Sequence, residues 1–279
     1  MQQEEFQPSG PPYETILIEK KGPVDWVTLN RPERLNALST KMMLELQHYF
    51  GALYNDNTVR LVVLKGAGRA FCAGLDLKEN GERREKGERP SGVSYGMRSQ
   101  RRVSEIIMKM RRCPQPIISL IQGAASGGGF AMALASDVRY AGESARMNAA
   151  FIRIGLSACD VGVSYFLPRL VGASVASELL LTGRFIHADR ALRTGLVSDV
   201  VPDEELETVA DELIQEMLTT TPLGLRLTKE AINMSIDANS LESVIAMEDR
   251  QQILCAQGAD FREGVGAFLE KRDPVYQDK

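Results

Sequence analysis

Two glycine-rich turns, each placed after a run of aliphatic residues, constrain this chain more than any other feature. The first is Ala73-Gly74-Leu75-Asp76, which follows a predicted strand over residues 59–65. The second contains Gly127-Gly128-Gly129, which follows a predicted strand over residues 116–121 and opens an apolar helix. Glycines in a helix destabilise it by about 1 kcal/mol each relative to alanine. The triplet therefore indicates either close packing of strand on helix or a ligand that approaches the backbone N–H groups, where the helix dipole favours a negative oxygen.

Neither turn has the sequence of a common nucleotide-binding loop. After the first strand, GAGRAF has Phe71 where a dinucleotide fingerprint needs its last glycine, and no G-x-x-x-x-G-K-[ST] motif occurs. Two strand-following turns about fifty residues apart suggest instead that backbone N–H groups from both turns hold one oxyanion.

Composition excludes several classes of protein. The 279 residues carry 33 Lys and Arg against 37 Asp and Glu, a formal charge of −4, which argues against a nucleic-acid partner. Four scattered cysteines and two histidines argue against a metal site and indicate reduced thiols. Residues 113–136 carry no charge, but prolines and the glycine triplet interrupt them, so they predict a buried strand, a turn and a helix rather than a membrane span. We therefore expect a cytoplasmic protein without membrane, nucleic-acid or metal partners.

The pattern of apolar residues predicts an α/β core over residues 13–202, a flexible arm over residues 1–12 and a helical region over residues 203–279. Strand patterns occupy residues 16–19, 24–30, 59–65, 116–121, 137–141 and 196–201. Helical patterns occupy residues 39–53, 103–110, 127–136, 167–171, 174–181, 188–195, 203–218, 223–237, 240–257 and 260–271. Residues 79–102 are charged and poor in aliphatic side chains, which predicts a loop beside the site.

Several short motifs, taken in their order along nearly the whole chain, resemble the crotonase superfamily, that is, the enoyl-CoA hydratase/isomerase family. They are LNRPERLNAL at 29–38, AFCAGLDL at 70–77, QGAASGGG at 122–129, SDVRYAGE at 136–143, LPRLVG at 167–172, LTGR at 181–184, GLV at 195–197 and the ending at 263–274. The resemblance implies an α/β fold, a spiral of repeated ββα turns. Its C-terminal helices would assemble the chain into a homotrimer or homohexamer.

The resemblance also implies which residues form the site. The backbone N–H groups of Leu75 and Gly128 correspond to the family's oxyanion hole, in which a thioester enolate is stabilised. The coenzyme A site corresponds to Arg34, Leu35, Ala37, Ala73, Asp76 and Leu77. Coenzyme A is part of the acyl-CoA substrate, so no separate cofactor is expected.

One departure from the family concerns its acid–base groups. In hydratases of the family two glutamates hold the attacking water, and the matching positions here are Ala131 and Phe151. The nearest carboxylate is Asp160, in a stretch that resembles the dienoyl-CoA and Δ3,Δ2-enoyl-CoA isomerase branches, where an acidic residue carries the proton. A single carboxylate suffices for an isomerase, because it can take a proton from one carbon and return it to another. Alternatively, Asp160 is the N-cap of a helix that starts at Val161.

Three functions therefore remain open. The first is an acyl-CoA enzyme of the enoyl-CoA hydratase/isomerase type in fatty-acid or related acyl-CoA metabolism. The second is a Δ3,Δ2-enoyl-CoA or dienoyl-CoA isomerase with Asp160 as its single proton carrier. The third is a non-catalytic acyl-CoA-binding protein that lacks both hydratase glutamates.

Overall fold

The computed structural model describes residues 11–87 and 92–278. Most of the predicted arm, residues 1–10, lies outside the described residues. The strands are β1 (Ile16–Lys21), β2 (Val24–Leu29), β3 (Leu61–Gly66), β4 (Ile117–Ile121), β5 (Ala124–Ser126), β6 (Val138–Gly142), β7 (Arg146–Asn148), β8 (Ile186–His187) and β9 (Asp199–Val201). The helices are α1 (Thr40–Ala52), α2 (Leu77–Glu85), α3 (Val93–Arg112), α4 (Gly128–Ala135), α5 (Val163–Val171), α6 (Ala173–Thr182), α7 (Ala188–Arg193), α8 (Leu206–Leu218), α9 (Pro222–Ser235), α10 (Leu241–Gln257) and α11 (Ala259–Glu270).

The strands form two sheets. The longer has the order β1-β2-β3-β4-β6-β9, and all its neighbours are parallel except the antiparallel pair β1–β2. The shorter has the order β5-β7-β8. Because β5 directly follows β4 and β7 directly follows β6, each of these two ββ units adds one strand to the long sheet and one to the short sheet before the next helix. This confirms the predicted α/β class and its ββα spiral.

Both faces of the long sheet are covered, as parallel sheets require. Along β3, Val62 and Leu64 face the larger core beneath α1, α3 and α4, whereas Leu61 and Val63 face a second core. Helix α8 covers this second core with Leu206, Ala210 and Ile214. The alternation is the period of two that a strand imposes, and it explains why β3 is a continuous aliphatic run.

The predicted loop over residues 79–102 is wrong. The chain forms α2, and then α3 starts at Val93, with residues 88–91 outside the described part. Asp76 caps α2, since its side chain accepts a hydrogen bond from the N–H of Glu79. Helix α3 buries Ile106, Ile107 and Met110 only in its second half, so its first half lacks the apolar stripe that would reveal a helix in the sequence.

The C-terminal part is helical, as predicted. Helix α9 is fixed to the core by Lys229, whose buried ammonium group donates to the carbonyl oxygen of Gln115 at 2.7 Å and pairs with Asp137 at 2.9 Å. Helix α10, in contrast, has no buried residue in the single chain. Across residues 11–87 and 92–278, none of the helices combines the length and the apolar character that a membrane crossing needs.

Candidate active site

The two glycine-rich turns lie side by side because the strands that precede them are paired. Cys72 and Ala125 form a parallel bridge, in which Cys72 donates its N–H to the carbonyl of Ala124 at 3.0 Å and accepts from the N–H of Ser126 at 2.9 Å. Leu75 and Gly128 each stand three residues after a bridge member. The parallel register therefore brings the two residues to corresponding places in the two turns.

The N–H groups of Leu75 and Gly128 donate to no acceptor among the residues that the structure describes. Gly74 makes the approach of the two turns possible, because its φ is +90° and a methyl group on its Cα would lie 2.7 Å from the carbonyl oxygen of Ser126. The same methyl group would lie 3.4 Å from the nitrogen of Gly128. The turns are therefore in contact at the point where both N–H groups are free to bind an acceptor.

The glycine triplet fits both interpretations from the sequence, namely close packing of strand on helix and room for a ligand at the backbone N–H groups. A methyl group on Gly129 would lie 2.2 Å from the carbonyl oxygen of Cys72, so this glycine is needed for close packing. Gly128, at the first turn of α4, donates its N–H to no acceptor in the described part of the chain. Burial raises the pKa of Cys72 to about 12, so its thiol is neutral at pH 7 and serves as an apolar filler rather than a nucleophile.

The loop with the predicted coenzyme A residues Arg34, Leu35 and Ala37 lies directly against the first turn. The carbonyl of Leu35 accepts from the N–H of Ala73 at 3.0 Å, so the two predicted segments come together. Asn36 holds the loop, because its side-chain amide donates to the carbonyl oxygens of Ala67 at 2.9 Å and Ala70 at 2.8 Å. Sequence reasoning did not single out Asn36, although Asn is a residue that tolerates the left-handed φ of +54° found here.

Asp76 and Leu77, also predicted to contact coenzyme A, have different environments. The Leu77 side chain is exposed, whereas the Asp76 side chain is buried and pairs with Arg31 at 2.9 Å. Burial would raise the pKa of Asp76, but the N–H of Glu79 and the Arg31 guanidinium outweigh it and lower that pKa. The carboxylate thus stays ionised and connects the loop to the start of α2.

The two positions of the hydratase glutamates are apolar and packed. Ala131 is fully buried in α4. The ring of Phe151 lies over Gly127, with its Cε1 atom 3.4 Å from where a methyl group on that glycine would be. No carboxylate therefore stands at either position.

Asp160 lies in the loop before α5 and does not cap this helix. The helix starts at Val163 with Gly162 as its N-cap, so the N-cap interpretation is wrong. The Oδ1 atom of Asp160 instead accepts from the N–H of Val161 at 2.8 Å and from the side-chain amide of Gln100 on α3. Among the described residues, none donates to its Oδ2 atom. Burial raises the pKa of Asp160, although both hydrogen bonds oppose that rise.

Helix α3 lies against both Asp160 and the glycine triplet. Gln100 contacts Asp160, and Val103, three residues later on the same helix face, has a methyl carbon 3.8 Å from where a methyl group on Gly128 would be. Three residues correspond to about 4.5 Å along a helix axis. Asp160 and Gly128 therefore lie against neighbouring points of one helix face.

Two other polar side chains near the site are engaged in packing. Asn148 donates from Nδ2 to the carbonyl of Gly183 at 2.8 Å, while its buried Oδ1 has no partner among the described residues. Tyr165 donates to Asp237 at 2.6 Å and so connects α5 with the end of α9. Asn148 faces a cavity of about 930 Å³ that borders the turns at Ala73 but does not include Leu75, Gly128 or Asp160.

Known proteins match this chain over nearly its whole length. The family model "Enoyl-CoA hydratase/isomerase" matches residues 19–279. The "Probable enoyl-CoA hydratase EchA12" of Mycobacterium tuberculosis is 40% identical over 267 residues, which are 94% of this chain and 93% of the relative. The 1,2-epoxyphenylacetyl-CoA isomerase of Escherichia coli is 37% identical over 268 residues, 95% of this chain and 99% of the relative.

The fold agrees with the sequence matches. The crystal structure of the enoyl-CoA hydratase from Bacillus anthracis superposes with a TM-score of 0.88 at 34% identity, covering 95% of this chain and 100% of that one. The fold, the paired turns and the family match agree over the same residues. The chain belongs to the enoyl-CoA hydratase/isomerase family, the crotonase superfamily, whose members are enzymes that act on acyl-CoA thioesters.

Proposed function

We propose that this enzyme is an enoyl-CoA isomerase that moves a carbon–carbon double bond of an acyl-CoA thioester with Asp160 as its single proton carrier. The observation that carries the proposal is the environment of Asp160. One carboxylate oxygen is anchored, the other has no donor among residues 11–87 and 92–278, and both hydratase glutamate positions are apolar.

In the proposed reaction the thioester oxygen accepts hydrogen bonds from the N–H groups of Leu75 and Gly128. These donors stabilise the negative charge that develops on the oxygen when a proton leaves the carbon next to the carbonyl. Both belong to backbone that strand pairing and close packing hold in place, so they need no reorganisation during the reaction. Loss of one such donor typically lowers the rate by about 10²–10³-fold.

Asp160 supplies the acid–base step. Its free oxygen takes the proton from carbon 2 of a 3-enoyl thioester, which gives a dienolate, and the protonated carboxyl returns a proton to carbon 4. The double bond then lies between carbons 2 and 3, and Asp160 is again ionised. A carboxyl whose pKa is raised by burial is a stronger base than an exposed one, which suits proton abstraction.

The coenzyme A part of the substrate is proposed to bind along the loop of Arg34, Leu35 and Ala37 and the adjoining Ala73, Asp76 and Leu77. Leu35 and Ala73 are already hydrogen-bonded to each other, and the Arg34 guanidinium reaches the surface, within 3.9 Å of Glu82. We therefore expect the anionic nucleotide of coenzyme A to compete with the Glu82 carboxylate for the Arg34 guanidinium.

The exposed apolar residues of the C-terminal helices support assembly into a homotrimer or homohexamer. Along α11, Phe261, Val265, Phe268 and Leu269 follow the spacing of one helix face, and the side chain of Phe268 is 82% exposed in the protomer. A contiguous apolar stripe of this kind normally marks a protein interface.

The experiment is a comparison of two substrates on the purified protein. An isomerase converts 3-hexenoyl-CoA into the conjugated 2-enoyl thioester, seen as ultraviolet absorption of the new conjugated system, and hydrates crotonyl-CoA poorly. Faster turnover of crotonyl-CoA would identify a hydratase instead. A rise in melting temperature with acyl-CoA but no turnover of either substrate would identify a binding protein.

A further inference from the structure

We propose that Gln100 is a positioning residue for Asp160: its side-chain amide anchors one carboxylate oxygen, so that the other points at the substrate. This inference rests on the function proposed above. It assigns a role to the first half of α3, which the sequence presents only as a charged, aliphatic-poor segment.

The anchoring uses one oxygen only. The Oδ1 atom of Asp160 accepts from the Gln100 amide and from the N–H of Val161, its own neighbour, at 2.8 Å. Val161 has a φ of +40°, a left-handed conformation that is costly for a β-branched residue. The backbone is therefore strained at Val161, the residue whose N–H donates to the Asp160 carboxylate. With Oδ1 occupied twice, Oδ2 is the oxygen left for proton transfer.

The helix that carries Gln100 is itself fixed. Gln47 of α1 donates from Nε2 to the carbonyl of Arg102 at 2.5 Å, and Lys109 of α3 donates back to the carbonyl of Gln47 at 3.0 Å. Val103, on the face of Gln100, lies against Gly128. A single rigid helix thus sets the position of the proton carrier relative to the turn that holds the oxyanion.

The arginines near Asp160 do not stabilise its carboxylate in the way that the Gln100 amide does. Arg98 and Arg101 flank it on α3, Arg153 precedes the Asp160 loop and Arg169 lies on α5. None of these groups contributes to the pKa of Asp160, which burial raises and which the Val161 N–H and the Gln100 amide lower. The amide is therefore the one side chain, among the described residues, that stabilises the ionised form of this carboxyl.

The test compares Gln100→Leu, Gln100→Asn and Gln100→Glu with Ser104→Ala as control. Ser104 lies one turn further along α3, and its hydroxyl donates to the backbone carbonyls of Gln100 and Arg101 in the same helix, not to Asp160. The full-length proteins are titrated by infrared difference spectroscopy, each against its counterpart that also carries Asp160→Asn, which isolates the carboxyl band of Asp160. In parallel, kcat/KM for 3-hexenoyl-CoA is measured across pH.

Loss of one hydrogen bond to a carboxylate raises its pKa by about one unit. We expect this shift in Gln100→Leu and in Gln100→Asn, whose amide is one methylene too short. We expect at least as large a shift in Gln100→Glu, because two carboxylates repel each other. The acid limb of the kcat/KM profile should move to higher pH by the same amount, and Ser104→Ala should leave both readings at their wild-type positions.

The two proposals fail in different ways. An unchanged infrared midpoint in Gln100→Leu and Gln100→Glu would overturn the anchoring role, even if kcat were lower, and would leave the isomerase proposal intact. A shifted midpoint in a protein that does not turn over 3-hexenoyl-CoA would support the contact between Gln100 and Asp160 and contradict the isomerase.

Discussion

Cys72 and Ala125 form a parallel bridge, and this one pairing fixes where two separate glycine turns meet. Paired strands are about 4.8 Å apart, and an oxygen that accepts two N–H···O bonds of about 2.9 Å each can sit between nitrogens at that separation. The chain needs no side chain for such a site. Backbone register and the space left by Gly74 and Gly129 are sufficient.

Substitution of Gly129 by alanine tests the role of this close packing. The added methyl group would lie 2.2 Å from the carbonyl oxygen of Cys72 and 2.7 Å from the Cβ atom of Cys72, so the start of α4 must move. Displacement of the Gly128 N–H should lower kcat by about 10²-fold, with a loss of about 1–3 kcal/mol in the free energy of unfolding from overpacking. Turnover of 3-hexenoyl-CoA and denaturant unfolding measure the two effects.

The matched control for this glycine is Gly96→Ala on α3, where an added methyl group meets nothing within 4 Å. This variant should keep full activity and gain up to about 1 kcal/mol of stability, because alanine is the better helix former. Wild-type turnover in Gly129→Ala would show that the position of Gly128 does not matter for catalysis.

Asp160→Asn should not destabilise the protein at neutral pH. Burial raises the pKa of Asp160 in the folded state, so ionising this carboxyl costs folding free energy once the pH exceeds that pKa. The asparagine variant avoids the cost and should melt at the same or a higher temperature at pH 7. As the pH falls below about 4, where the carboxyl is protonated in both states, the difference should vanish. A variant that melts well below wild type at pH 7 would contradict this assignment.

Lys229→Met should be strongly destabilising. The ammonium group is buried, donates to the carbonyl oxygens of Gln115 and Met110, and pairs with the carboxylate of Asp137. In the variant, Asp137 retains Arg111 as its other partner. Removing one member of a buried ion pair costs about 3–5 kcal/mol. We expect the lower part of this range, measured by urea unfolding, with kcat of the folded fraction unchanged.

The same chemical change at Lys41 is the control. Lys41 forms an ion pair with Glu14 at the surface, and exposed pairs contribute about 0–1 kcal/mol. Equal losses of stability at Lys229 and Lys41 would show that α9 is not held by the buried ammonium group.

Phe268→Ser should change assembly rather than protomer stability. Phe268 is 82% exposed in the single chain, so loss of its ring costs the isolated chain little, but it removes apolar area from the proposed interface of α11. Light scattering should give a trimer or hexamer for the wild type and a concentration-dependent lower mass for the variant. Tyr54→Ser, at a side chain 63% exposed outside the C-terminal helices, is the control. A wild-type protein that stays a monomer at micromolar concentration would contradict the assembly.

The sequence predicts those features that depend on local composition. The aliphatic runs of β3 and β4 and the glycines after them are visible because a strand buried on both faces excludes polar residues. In contrast, the strands of the short sheet have two or three residues each, too few for a period to be recognised. The first half of α3 carries few buried side chains, so its helical state leaves no apolar stripe.

The residues of the candidate site differ in the same way: some belong to a local sequence pattern, and others meet only through packing. Leu75 and Gly128 belong to turns with a strong sequence pattern, whereas Gln100 and Asp160 are sixty residues apart with no pattern that connects them. Their contact arises from the packing of α3 against the loop before α5. Arg31 and Asn36, which hold the proposed coenzyme A loop in place, likewise bond to partners more than thirty residues away.

The most direct test of the central claim is the turnover of 3-hexenoyl-CoA by Asp160→Asn. Asparagine keeps the size of the side chain and an oxygen that can accept from Gln100 and Val161, but it cannot carry a proton. Removing a general base lowers turnover by about 10²–10⁴-fold. We therefore predict a loss of at least about a hundredfold in kcat, with acyl-CoA still raising the melting temperature. Wild-type turnover in a folded Asp160→Asn protein that binds acyl-CoA would contradict the account.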